Sequence, residues 1–102
     1  MTWLNENVEP EVRKVVKHLR MNGINTTQSC GHRMWVDGDY GPPYQQPDVL
    51  EDTVVTVMAT LGIKTWCLRM VRYGQERTWH LQILTPKMRK QGRYLDVEGG
   101  LH

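Results

Sequence analysis

No apolar run in this 102-residue chain approaches the roughly 20 residues needed to cross a membrane. The opening residues, Met1 to Asn7, are acidic where a secretory leader is basic. Cysteine is scarce. Cys30 and Cys67 allow at most one intramolecular disulfide, fewer than a small secreted scaffold normally carries, so reduced thiols in a cytoplasmic protein are expected. No glycine-rich phosphate loop and no paired-carboxylate motif is present, and none of these absences leaves an obvious cofactor to expect. What remains is an ordinary globular composition, 39% hydrophobic and 24% charged, in a length that suits one small domain over 1–102.

The net charge of +2 hides an uneven distribution. Residues 1–63 carry five basic and eight acidic side chains, whereas 64–93 carry eight basic and one acidic. A basic C-terminal arm therefore begins at about residue 86, after Pro86 stops the last strand.

Two helices are legible from spacing. Asn7 as N-cap, with Glu9, Pro10 and Glu11 in the first turn, precedes Val8, Val12, Val15, Val16 and Leu19 on one helical face, and Asn22-Gly23 supplies the stop. Asp48, with Glu51 three positions on, resembles a capping box ahead of Leu50, Val54, Val57, Met58 and Leu61, which Gly62 closes. Gly62-Ile63-Lys64-Thr65 echoes Gly23-Ile24-Asn25-Thr26, as a weak internal duplication would.

The segments between are β-prone. Ile24, Thr26 and Gln28 are expected on one strand face, Arg33 to Val36 form a second strand, and Asp37-Gly38-Asp39 marks its end. Tyr40 to Pro47, with three prolines, reads as a stiff loop. Thr65–Tyr73 and Arg77–Thr85 alternate as a hairpin around Gly74-Gln75-Glu76. One face holds Trp66, Leu68, Met70, Trp79, Leu81 and Ile83, and the other Arg69, Thr78, His80 and Gln82. The expected fold is α+β, an αββαββ two-layer sandwich with both helices on one face of a mainly antiparallel sheet, a circular permutation of the ferredoxin-like βαββαβ order.

The run Gly23-Ile24-Asn25-Thr26-Thr27 leading into Ser29-Cys30-Gly31-His32, the opening Met1 to Val12, and Met34-Trp35-Val36 together resemble a group of small proteins encoded by actinobacterial phages. The resemblance implies an accessory protein acting in the cytoplasm of a bacterial host. It assigns no activity to any residue, and it does not extend into the loop from Asp37 to Pro47.

Several chemistries compete for these residues. Ser29 or Cys30 could act as a nucleophile with His32 as base, but no third orienting group is identifiable. Cys30 and His32 could bind zinc only if Cys67, His80, His18 or an Asp completed the set; a small thiol beside a turn histidine needs no metal. Asp37-Gly38-Asp39 starts like a calcium loop but lacks the later ligands, so a turn is the better reading. Arg69, Arg72, Arg77, Lys87, Arg89, Lys90 and Arg93 form a basic hairpin and arm that could contact nucleic acid or a nucleotide, with Tyr73 or Trp79 for stacking. The same surface suits an acidic host protein, and Tyr40 and Tyr44 in the stiff loop suit a protein contact at low entropic cost or a lid over their own sheet. The expected class is a non-enzymatic binding module engaging a host protein, with nucleic-acid binding and a thiol or metal site as alternatives. Pairing of an edge strand with a second copy would give a homodimer, although nothing in the sequence demands it.

Overall fold

Proline opens both helices and glycine closes them. In the computed structural model, which describes residues 8–85, helix α1 spans Pro10–Met21 and buries Val12, Val15, Val16 and Leu19. Helix α2 spans Pro47–Thr60 and buries Leu50, Val54, Val57 and Met58. Both stripes are those the spacing predicts. The two helices also stop alike. Gly23 and Gly62 adopt φ of +82° and +72°, which lets Ile24 N–H donate to Leu19 O at 3.0 Å and Ile63 N–H to Met58 O at 2.9 Å. This Schellman-type closure satisfies carbonyls that a helix end leaves unpaired.

The helix starts differ from expectation. Asn7 lies outside the described residues, and α1 begins at Pro10 with Glu9 in the cap position and no side-chain cap bond. Likewise α2 begins at Pro47 with Gln46 in the cap position, so Asp48 sits within the first turn and the capping box does not form. A proline preset to helical φ, at a position where the missing N–H costs nothing, outweighs the carboxylate beside it.

Four strands follow: β1 Asn25–Cys30, β2 Trp35–Asp39, β3 Trp66–Tyr73 and β4 Glu76–Ile83. They form one sheet in the order β1-β2-β4-β3, every neighbouring pair antiparallel. The chain order is therefore αββαββ. Its two hairpins join through β2 and β4, so the last strand lies inside the sheet. The β3–β4 loop is only Gly74-Gln75, with Gly74 at φ +60° in the first loop position.

Cross-strand pairing bears out the face assignment of the second hairpin: Trp66 lies opposite Ile83, Leu68 opposite Leu81 and Met70 opposite Trp79. Val36 joins these residues and both helical stripes in one core. Thr26 is the one buried polar side chain among the described residues, and its hydroxyl accepts from Arg20 Nη1 at 3.1 Å.

Two strand assignments need correction. A bulge between Thr26 and Gln28 sets Gln28 opposite Asp37 while Thr26 faces Gly38, so Thr26 and Gln28 lie on opposite faces. Asp37-Gly38-Asp39 is not a turn; β2 runs through all three residues, while Arg33 and Met34 belong to the preceding turn. The reason is packing. Gly38 is buried against the Trp79 ring, and a Cβ there would collide with that ring and with Asn25 O. Gly38→Ala is therefore expected to cost about 2–3 kcal/mol. Gly62→Ala, with open space around the site but a left-handed backbone, should cost about 1 kcal/mol. Urea unfolding of the two variants checks this order.

Candidate functional site

The face of the sheet turned away from the helices gathers chemistry from all four strands. Pairing sets its residues in rows. Cys30, Trp35, Gln82 and Cys67 form one row across β1, β2, β4 and β3; Gln28, Asp37, His80 and Arg69 form the next; Asn25, Asp39, Thr78 and Val71 form the third. The alternation that places Arg69, Thr78, His80 and Gln82 here is legible in the sequence. Asp37 and Asp39, the β2 partners of His80 and Thr78, are not, because the expected second strand ends at Val36.

At the centre, His80 Nδ1 lies 2.5 Å from Asp37 Oδ1, with the two side chains 35% and 32% exposed. An ionised carboxylate can only accept, so the imidazole donates from Nδ1, and a neutral ring carries its lone pair on Nε2. Trp35 stands beside it, ring centroids 5.6 Å apart and tilted by 39°. Asp39 is held as well, its Oδ2 accepting from Asn25 Nδ2 at 3.0 Å. Gln82 fixes the upper row, donating from Nε2 to Arg33 O at 2.8 Å and Met34 O at 3.1 Å. The result is a half-exposed aromatic and polar surface whose orientations are set by internal hydrogen bonds.

The Ser-Cys-Gly-His segment forms the turn between β1 and β2. Glu9, just ahead of α1, reaches over it, its Oε2 accepting from the amides of Gly31 at 3.1 Å and His32 at 3.2 Å. A side chain on Gly31 would collide with the Glu9 and Glu11 side chains, and Met34 closes the turn at φ +59°. Cys30 Sγ accepts from Arg33 N–H at 3.4 Å. Among the described residues no hydrogen bond joins Cys30 to His32, which is exposed, and Ser29 pairs with Val36 on the core side of the sheet. The nucleophile and base are thus not brought together. Neither Cys30 nor Cys67 forms a disulfide; they lie on opposite edge strands, three strand spacings or roughly 14 Å apart, beyond the reach of one. No group of three His, Cys, Asp or Glu side chains converges as metal ligands among the described residues.

The other candidates divide. Tyr40 packs against the core, while Tyr44 is 43% exposed. Their loop is tied down by Tyr40 N–H to Arg77 O at 3.0 Å and by Gln45 Nε2 to Gly23 O at 3.4 Å. Arg69 lies beside His80, whereas Arg72 and Arg77 face each other on the helix side of the sheet, so these three arginines do not form one basic surface. Trp79 is 1% exposed and unavailable for stacking. The side chain of Tyr73, and Lys87, Arg89, Lys90 and Arg93, lie outside the described residues.

No helix among the described residues is long and apolar enough to cross a membrane. Comparison with protein-family models, with curated protein sequences and with solved structures gives no match for this chain.

Two measurements follow from the turn. Glu9→Ala removes the shared acceptor of two amides and should lower stability by about 1 kcal/mol in a urea titration, since both amides regain some water. A disulfide reagent should label the half-exposed Cys30 in the native protein but Cys67, which has no exposed surface, only as the chain unfolds.

Proposed function

We propose that the chain is a small non-enzymatic binding module, encoded by a phage and acting in the cytoplasm of its bacterial host, where it engages a host protein. The observation that supports this reading is the Trp35, His80 and Asp37 cluster. A half-exposed tryptophan beside an imidazole already oriented by a carboxylate is an anchor of the kind that dominates protein interfaces, and little freedom is lost when a partner covers it. Its position on a broad sheet face suits contact with another protein surface. Tyr44, exposed in a loop fixed at both ends, offers a second aromatic contact. The phage origin rests on the resemblance of the residues from Met1 to Val36.

The reading is tested by affinity capture from an actinobacterial lysate, run in parallel with and without nuclease, using the full chain, a Trp35→Ala variant checked for native circular dichroism, and Met21→Ala. Met21 is a highly exposed residue on α1 and serves as a surface control. One host protein held by the wild type and by Met21→Ala, and lost or bound at least tenfold more weakly by Trp35→Ala, is the expected outcome. Nucleic acid as the sole captured species, or capture indifferent to Trp35, would overturn it.

A further inference from the structure

We propose that the partner presents a cationic side chain, with arginine favoured over lysine, to the strip formed by Trp35, Asp37 and Asp39. This rests on the reading of the chain as a protein-binding module and names what its sheet face recognises.

The three residues alternate along β2 and share the face away from the helices, with about 6.8 Å between successive positions. Each carboxylate is anchored by one oxygen. Asp37 Oδ1 accepts from His80 Nδ1 and Asp39 Oδ2 from Asn25 Nδ2. The other oxygens, Asp37 Oδ2 and Asp39 Oδ1, have no hydrogen-bond partner among the described residues. The pair formed by His80 and Asp37 is an ion pair only when the imidazole is protonated. Two carboxylates therefore stand at alternate positions of one strand, each held by a hydrogen bond from a neighbouring strand, and a cation between them offsets both charges. Trp35, next along the strand and half-exposed, adds a ring face on which a guanidinium stacks.

Arginine fits this strip better than lysine. Its planar fork can donate to two carboxylates while its flat face lies on an indole, whereas an ammonium is a single, strongly hydrated point charge. The Arg69 backbone lies across β4 from Asp37, two strand spacings or about 10 Å away. A phosphate backbone would meet both carboxylates directly, which disfavours nucleic acid at this face.

The test is a two-dimensional NMR titration of the full chain with the blocked peptide acetyl-Gly-Arg-Gly-Arg-Gly-amide. The same peptide with leucine or glutamate at both arginine positions, and an oligo-dT strand, are titrated in parallel. The arginine peptide should shift the Trp35 indole N–H and the Asp37 and Asp39 amides saturably, with an affinity that falls as salt is raised. Asp39→Asn, which keeps a side chain able to bond Asn25, should weaken that binding at least fivefold. Asp37→Asn should do the same, while Arg69→Ala should not weaken it. Equal shifts with the leucine peptide, the same resonances moving with oligo-dT, or an Asp39→Asn variant that binds like wild type would each overturn the proposal. Failure here is distinct from failure of the broader reading. A host protein lost with Trp35→Ala but indifferent to Asp39→Asn leaves a protein-binding module that does not select a cation.

Discussion

The contact between Gly38 and the Trp79 ring fixes how the two halves of the sheet meet. β2 and β4 are the only strands that join the two hairpins, and on the core side their pairing brings the glycine under the largest fully buried side chain. Side chains alternate with a period of two, so a slip of one residue would turn the Trp79 ring away from the helices and expose Leu81 as well. The register that buries Trp79 is the same register that puts Asp37 opposite His80 on the other face. Core packing and the candidate site are therefore one constraint seen from two sides. The site needs no device of its own beyond a hydrogen bond from an imidazole to the carboxylate directly across the strands.

This dependence explains what was legible in the sequence. Valine and leucine stripes, the glycines that close both helices, and the alternation from Trp66 to Ile83 each carry their signal within a short window, and each is observed. Asp37-Gly38-Asp39 carries the opposite local signal. Aspartate and glycine are turn residues, and only the distant Trp79 makes glycine the residue that fits inside a strand there. With the second strand expected to end at Val36, the sequence offers His80 no partner, although alternation puts His80 on the correct face. The bulge in β1 was hidden for a similar reason, since Thr26-Thr27-Gln28 is β-prone in either register and pairing with β2 decides it. At the helix starts, prolines and carboxylates compete within a few residues, and spacing does not rank them.

The Cys-Gly-His segment reads as chemistry in the sequence and is built as architecture. Two consecutive amides of the turn converge on one oxygen of Glu9, which stands at the mouth of α1, so the helix start and the first hairpin are tied at a point where neither has backbone partners of its own. Glycine at position 31 lets the carboxylates approach. The Glu9 carboxylate is turned toward the hairpin and makes no side-chain cap bond to α1. The cysteine, accepting from the Arg33 amide, belongs to the same turn.

Charge is distributed so that the two surfaces of the sheet do different things. On the helix side, Arg72 and Arg77 lie opposite each other near the Tyr40 loop, while α1 shows the solvent Glu11, Lys14, Lys17 and Arg20 in mixed sign. On the other side, the carboxylates of β2 are spaced along a single strand and oriented by donors on the neighbouring strands. An exposed carboxylate free to rotate would lose conformational entropy on pairing, and a mobile surface ion pair contributes little for that reason. Anchoring one oxygen of each removes part of that loss before any partner arrives. The same hydrogen bonds that hold the strands in register thus leave the outward oxygens in fixed positions, and electrostatic complementarity can act there through specificity more than through raw affinity.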